Sequence, residues 1–379
     1  MSDFVIPDDP DRPVAGQPIA RRTATVRQGF VVPAAKGLRN RLQQYTGVLR
    51  ADGTHVRESI LWRADAQITF APEKPQEGMY GRLSGTWLYG GLLFGHFGHF
   101  LAETTARLWA LPEYRDRIDG IVFTPKWNHN AQDALEEYRS FLYALGVDVP
   151  VVSLEDPTRV EKLFVPMQGF GMFDLANGSP EFQAYIRGLG GYGVEPDGPE
   201  KIYISRTQVN AKRGALVGED ELERRLEAEG YATFHPQNHH FLVQIARYRA
   251  AKQVIAMDSS PLHLLALVGN AEQRVGVIPR REGGFGEMFV DQLRALSGAE
   301  AHLIDVLATN WGKEGTDKTN RDTWGEPDFV TMGRRLHEAG LIEGGLDWAP
   351  LSDEDRRASL ERAEKANRKA FAEIAMKAA

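Results

Sequence analysis

Three short stretches of this chain bring together side chains able to do chemistry. The first is Gly95-His96-Phe97-Gly98-His99-Phe100-Leu101-Ala102-Glu103. If a helix starts near His99, that ring and Glu103 stand one turn apart on one face. A carboxylate beside an imidazole fixes its tautomer and raises its basicity, as a general base requires. The same pair also suits a buried histidine satisfied by a local carboxylate. A metal held by His96, His99 and Glu103 is a third reading, at a spacing unlike standard zinc motifs. The second stretch is Ser205-Arg206, followed by Lys212-Arg213. It comes directly after a strand pattern, at the edge where α/β sheets bind ligands. Cations gathered on one loop suit a diphosphate, because arginine can grip phosphate oxygens in pairs. A solvated basic loop has the same composition. The third is Met257-Asp258-Ser259-Ser260-Pro261-Leu262-His263, where a strand gives way to a helix. Ser259, Ser260 and Asp258 there read as helix caps beside an anion site, with Pro261 in the first turn. His263 on that turn reads either as facing the same cleft or as packed inside.

Elements must hold these groups. Residues 1–80 read as an irregular or β-rich start, with short apolar runs at 30–32 and 60–62 between turn residues. The glycine-histidine stretch then reads as a buried strand, a glycine turn and a helix start, with Pro112 helping to end the helix. Residues 83–102 carry no Asp, Glu, Lys or Arg and are long enough to span a bilayer. Their glycines and two histidines leave them too polar for that. Strand and helix patterns then alternate: a strand at 120–123, a helix at 131–145 stopped by Gly146, and strands at 149–154 and 163–165. Gly188 to Pro199 is punctuated like a domain boundary. Beyond it come strands at 202–204, 231–234, 254–257 and 275–278, with helices at 219–229, 241–251 and 261–268. Such alternation predicts a parallel sheet covered on both faces. Residues 310–350 read as polar connection. The tail reads as a helix capped by Ser352 and Asp355, with a narrow apolar stripe of Leu360, Ala363, Ala366, Ala370 and Ile374.

Composition narrows the function classes. The chain has 379 residues, 42% hydrophobic and 26% charged, which fits a folded chain of two or three domains. Lys plus Arg is 45 against 52 Asp plus Glu, a formal charge of -7. That speaks against general nucleic-acid binding, which needs a basic footprint. There are no cysteines, so disulfides, thiolate nucleophiles and Cys-ligated metals are excluded. The acidic, Pro-rich start lacks the pattern of a signal peptide, which leads us to expect a cytoplasmic chain. Neither a phosphate-loop NTPase motif nor a Gly-x-Ser-x-Gly elbow is present.

The segment from Gly90 to Glu103 resembles the N-terminal signature of glycosyltransferase family 61, a small-x-His-Phe-Gly-His-Phe-Leu-x-Glu helix of its bacterial, capsular-polysaccharide-type members. Ile202-Tyr203-Ile204-Ser205-Arg206, Arg213, residues 219–222 and Phe234-His235-Pro236 resemble its second-half pattern, with Gln244-Ile245, Ala250 and Ile255 downstream. One departure is the Asp258-Ser259-Ser260-Pro261-Leu262-His263 turn, where family members usually carry Gly-x-His-Gly-Ala. That turn is similar to the Asp-Ser/Thr-Gly-Pro-x-His-Leu motif of the heptosyltransferases. The resemblance implies an α/β fold of two Rossmann-like lobes, the GT-B type, with a cleft between them and a C-terminal helix. It implies an acceptor-side lobe at 1–190, a nucleotide-sugar lobe at 191–310, and a polar connection with the helix at 311–379. The implied activity is an inverting, metal-independent transfer of a hexose or pentose from a nucleotide sugar, expected to be a UDP-sugar, to a glycan or lipid-linked glycan. His99 and Glu103 would be catalytic. Arg206, Arg213, Asp258, Ser259, Ser260 and His263 would bind the donor. Neither metal nor other cofactor is expected, and a lipid-linked acceptor would bring the protein to the inner face of the membrane. A heptosyltransferase-like enzyme and a non-catalytic nucleotide-sugar or glycan binder are the alternatives.

Overall fold

A computed structural model of the chain describes residues 12–34, 44–126, 131–189 and 193–376. It divides into two compact units, residues 1–193 and 194–379. Among the described residues, no helix is long and apolar enough to cross a membrane.

The first unit is built on a six-stranded sheet in the order Gly47–Leu49, Thr23–Val32, Thr158–Pro166, Gly81–Leu93, Gly120–Pro125, Val151–Ser153. The last four strands are parallel, and the first two run antiparallel on the edge. Val26, Val31, Trp87, Tyr89, Val122, Val160, Leu163 and Val165 form one apolar cluster of this sheet. The long strand Gly81–Leu93 begins exposed and ends fully buried, which is why its sequence turns continuously apolar only near its carboxyl end. Gly90 and Gly91 serve close approach there. A Cβ on Gly90 would sit 2.3 Å from the Phe123 ring, and one on Gly91 2.7 Å from Arg107 Nη1. The helix Ala131–Ala144 packs Leu135, Tyr138 and Leu142 inward, and Gly146 at φ +80° ends the turn after it. A further helix, Pro180–Gly188, is fixed by Ser179 accepting from Phe182 N–H.

The chain order of the parallel strands matters. After Gly81–Leu93 the next two strands lie to one side, and Thr158–Pro166 returns to the other. The switch point, where α/β sheets open a crevice, therefore lies at the carboxyl ends of Gly81–Leu93 and Thr158–Pro166.

The second unit carries a five-stranded sheet, all parallel, in the order Ala232–Phe234, Lys201–Ile204, Gln253–Met257, Arg274–Ile278, Glu300–Leu303. Here the switch point lies between Lys201–Ile204 and Gln253–Met257. The stretch read as polar connection is ordered instead. Leu307–Lys313, Trp324–Pro327 and Phe371–Ile374 make a three-stranded antiparallel sheet, and Asp328 caps a helix at Phe329–Glu338. Trp324, Phe329, Met332, Leu336 and Ala363 join Tyr203, Leu222 and Ile255 in one apolar cluster. The terminal helix Asp353–Asn367 has the expected cap, with Ser352 Oγ accepting from Asp355 N–H at 3.0 Å. It is shorter than its apolar stripe suggested. Arg368 turns left-handed, and Ala370 and Ile374 leave the helix for the returning strand.

Candidate active site

The strand Gly81–Leu93 delivers the glycine-histidine stretch to the first unit's switch point. The backbone beyond it is not one α-helix. Phe97–His99 forms an α-turn, Phe100–Thr104 a π-turn and Thr105–Ala110 a 3-10 stretch. Thr104 pins this segment to the strand end, accepting from Phe94 N–H at 3.0 Å and donating to Leu92 O at 3.0 Å. A π-turn inside a helical run widens it locally and often marks a functional position. Pro112 does not end the run as expected. It lies in the first turn of a further helical piece, Leu111–Tyr114, where its fixed φ and missing N–H are tolerated.

His99 and Glu103 meet, with Nδ1 2.7 Å from Glu103 Oε2. Arg63, 40 residues upstream, grips the same carboxylate in a fork: Nε to Oε1 at 2.6 Å and Nη2 to Oε2 at 2.8 Å. Gln168, just past the second switch-point strand, fixes the Arg63 backbone by bonding Trp62 N–H at 2.7 Å and Trp62 O at 3.1 Å. Burial pushes the Glu103 carboxyl up, but Arg63 and the hydrogen bonds from His99 and Arg63 outweigh it and hold the group at about 2. An ionised Glu103 at 2.7 Å accepts from His99 Nδ1 and so fixes the orientation of the ring. The His99 side chain is 31% exposed, whereas Glu103 is fully buried. Phe94 stacks against the ring at 5.4 Å and 30°. The ring is partly exposed on one side and held from behind by the buried carboxylate. His96 lies 5.3 Å from His99, ring to ring, on the exposed side. Among the described residues no group of three or more His, Cys, Asp or Glu is placed to hold a metal ion.

In the second unit, three adjacent strands end in candidate groups. Lys201–Ile204 leads into Ser205-Arg206, Gln253–Met257 into Asp258, and Arg274–Ile278 into Pro279-Arg280-Arg281. The Arg206 backbone N–H donates to Glu219 Oε1 at 2.6 Å, which also accepts from Tyr203 OH at 3.2 Å. Glu223, one turn further along the helix Glu219–Ala228, accepts from Ser205 Oγ and from Thr207 Oγ1. Two carboxylates thus clamp the loop that carries Arg206. The Arg206 guanidinium donates to Gly214 O at 3.2 Å, and its buried Nε has no partner. Burial, with repulsion from Arg280, lowers it to about 10, so it stays charged at neutral pH. Arg280 Nε donates to Asp258 Oδ1 at 2.7 Å, and its Nη1 to Arg213 O at 3.1 Å. Arg281 lies over the Phe285 ring, and burial with Arg280 repulsion lowers it to about 10 as well. Three guanidinium groups converge at the ends of three parallel strands.

The residues singled out in the sequence therefore divide. Arg206 and Asp258 enter this cluster. Asp258 does so as the counter-ion of Arg280, and burial raises its carboxyl against the pull of Arg280 and Arg281. Arg213 contributes its carbonyl, while its side chain is exposed. Ser259 turns back to Met257 O at 3.2 Å, and Ser260 makes no side-chain cap. His263 is buried, with Nδ1 2.8 Å from Gln292 Oε1 and its ring against Phe289 at 4.7 Å, so it packs inside. Arg63, Arg280 and Arg281 are not among the residues the sequence singles out, and Glu219 lies in the 219–222 stretch that carries the resemblance, with no site role assigned to it. Arg280 and Arg281 follow a strand end as Arg206 does, and the same rule finds them; nothing local points to Arg63.

Glu219 makes the cluster pH-sensitive. Burial lifts its carboxyl to about 7, against the Arg206 N–H bond that favours the charged form. A raised carboxyl contributes stability below its ordinary value of 4.5, and that contribution is lost as pH rises through about 7. Its charge then offsets Arg206. Between pH 6 and 8, the stability of the wild type should therefore fall relative to that of Glu219→Gln. Calorimetry on both proteins checks this, and parallel profiles would refute it.

Comparisons place these observations among known proteins. Residues 97–274 match the family model described as Glycosyltransferase 61. That span holds His99, Glu103, Arg206, Arg213, Glu219 and Asp258. No curated protein matches the chain. A solved structure, the glycosyl transferase family 9 protein from Veillonella parvula DSM 2008, is similar at 11% identity, covering 77% of this chain and 99% of its own. Its TM-score is 0.23, too low to argue a shared fold.

Proposed function

From the premise that this chain carries a glycosyltransferase 61 domain, we propose that it transfers a sugar from a nucleotide-sugar donor, with inversion and without a metal, to a glycan or lipid-linked glycan. The observation that carries the donor assignment is the convergence of Arg206, Arg280 and Arg281 on the carboxyl ends of adjacent parallel strands. The acceptor hydroxyl oxygen attacks the anomeric carbon as its bond to the nucleoside diphosphate breaks. His99 Nε2 takes the hydroxyl proton, and ionised Glu103 stabilises the imidazolium that forms. The leaving diphosphate develops charge against preorganised guanidinium groups, which supplies the stabilisation that a metal provides elsewhere. Arg63 keeps Glu103 charged for this role. The expected donor is a UDP-sugar.

Calorimetry against UDP, GDP, CMP and ADP should find one nucleotide bound, and Arg206→Ala should weaken it by about 1.5–3 kcal/mol, as for a lost charged hydrogen bond. Equal affinity in the variant would remove Arg206 from the donor site. Transfer from the matching nucleotide sugar should continue in EDTA. Loss in EDTA with recovery on manganese or magnesium would overturn the metal-free step.

A further inference from the structure

Strands Gly81–Leu93 and Gly120–Pro125 run parallel, with Leu93 opposite Pro125. The next residues, Phe94 and Lys126, therefore leave the sheet side by side. Lys126 Nζ stands over the Phe94 ring at 5.3 Å, and Arg63 Cζ over the same ring at 5.9 Å. His99 stacks on the same Phe94 ring at 5.4 Å. The two cations are not equivalent. Arg63 is neutralised by its fork onto Glu103. Lys126 is half-buried and forms no ion pair or side-chain hydrogen bond with any described residue. Burial lowers its pKa, and Arg63 repels it more than Glu103 attracts it. Glu103 is already committed to Arg63 and His99, so the positive charge over the Phe94 ring has no counter-ion among the described residues.

A half-buried ammonium held near a second cation is unfavourable unless an anion reaches it. The ring face accounts for its position, but a neutral side chain would cover that ring without the repulsion. We infer that Lys126 marks an oxyanion subsite next to His99, so the acceptor carries a phosphate or carboxylate close to the hydroxyl that is glycosylated. The inference rests on His99 as the acceptor-side base. It adds a charge requirement to the acceptor that the donor cluster does not impose.

The test uses the full chain with histidines labelled with nitrogen-15, saturated with the nucleotide selected by calorimetry so that the donor cations are occupied. Inorganic phosphate and, separately, acetate are titrated at constant ionic strength, with chloride as reference, while the His99 ring resonances are followed. A saturable shift is expected with at least one anion, and the anion that acts distinguishes a phosphorylated acceptor from an acidic one. Lys126→Ala and Lys126→Gln should raise the apparent dissociation constant at least fivefold, and Lys126→Arg should restore it. No shift with either anion, or equal shifts in wild type and Lys126→Ala, would overturn the subsite. Failure of the donor reading is separable, because it shows as absent nucleotide binding while the phosphate or acetate response of His99 persists without nucleotide.

Discussion

Replacing His99 by alanine is expected to lower kcat by about 10²–10⁴-fold, the range lost with a general base, while the melting temperature moves by only a few degrees. The ring is 31% exposed, stacks on Phe94 and makes its close bond to a carboxylate that Arg63 also holds. Removing it leaves Glu103 paired and opens a space reached by solvent, so the structural cost is small. The proton acceptor is lost outright. His99→Gln sharpens the test, because an amide N–H can still donate to Glu103 but cannot accept the proton. It should be as inactive as alanine. Full activity in His99→Gln, or a collapsed melting temperature with normal turnover per folded molecule, would assign the ring a packing role.

What could be read from the sequence was whatever rests on neighbours along the chain. The strands read at 202–204, 254–257 and 275–278 are short apolar runs between turn signals, and all lie in the parallel sheet. The His99–Glu103 contact follows from a four-residue spacing, which survives the π-turn because one turn still separates the pair. Arg63 is different. It reaches Glu103 from a two-residue strand, Trp62–Arg63, set by Gln168 more than a hundred residues on, and no local pattern encodes that meeting. Asp258 is the converse case. Its motif suggests contact with a ligand, yet its partner is Arg280, which only the sheet order brings alongside. His263 reads from sequence either as facing the cleft or as packed inside, and Gln292 and Phe289 of the helix Phe285–Leu296 bury it. Two helices carried legible caps, Ser179-Pro180 and Asp328, but their amphipathic faces lie within stretches dominated by glycine and polar residues. Parallel strand ends are therefore the more transferable guide: each switch point collects its charged groups from segments far apart in the chain.

Glu103→Ala should destabilise the first unit by about 3–5 kcal/mol, the cost of leaving a buried partner charge uncompensated. Glu103 is fully buried, and the Arg63 side chain is only 16% exposed, so water cannot replace the carboxylate well. The loss should be visible as a lower denaturant midpoint at unchanged slope. Adding Arg63→Leu to Glu103→Ala should recover much of it, because the orphaned guanidinium, rather than the missing contact, carries most of the penalty. Additive losses in the double variant, or a cost under about 1 kcal/mol in Glu103→Ala alone, would mean that the pair is effectively solvated. The pH dependence has a fixed sign. A carboxyl depressed from 4.5 to about 2 contributes stability above 4.5 that is lost as pH falls towards 2. The acid limb of wild-type stability should therefore be steeper than that of Glu103→Ala. Turnover in Glu103→Gln gives the functional counterpart. Its amide oxygen still accepts from His99 Nδ1 but carries no charge to stabilise the imidazolium, so kcat should fall while acceptor KM stays close to wild type.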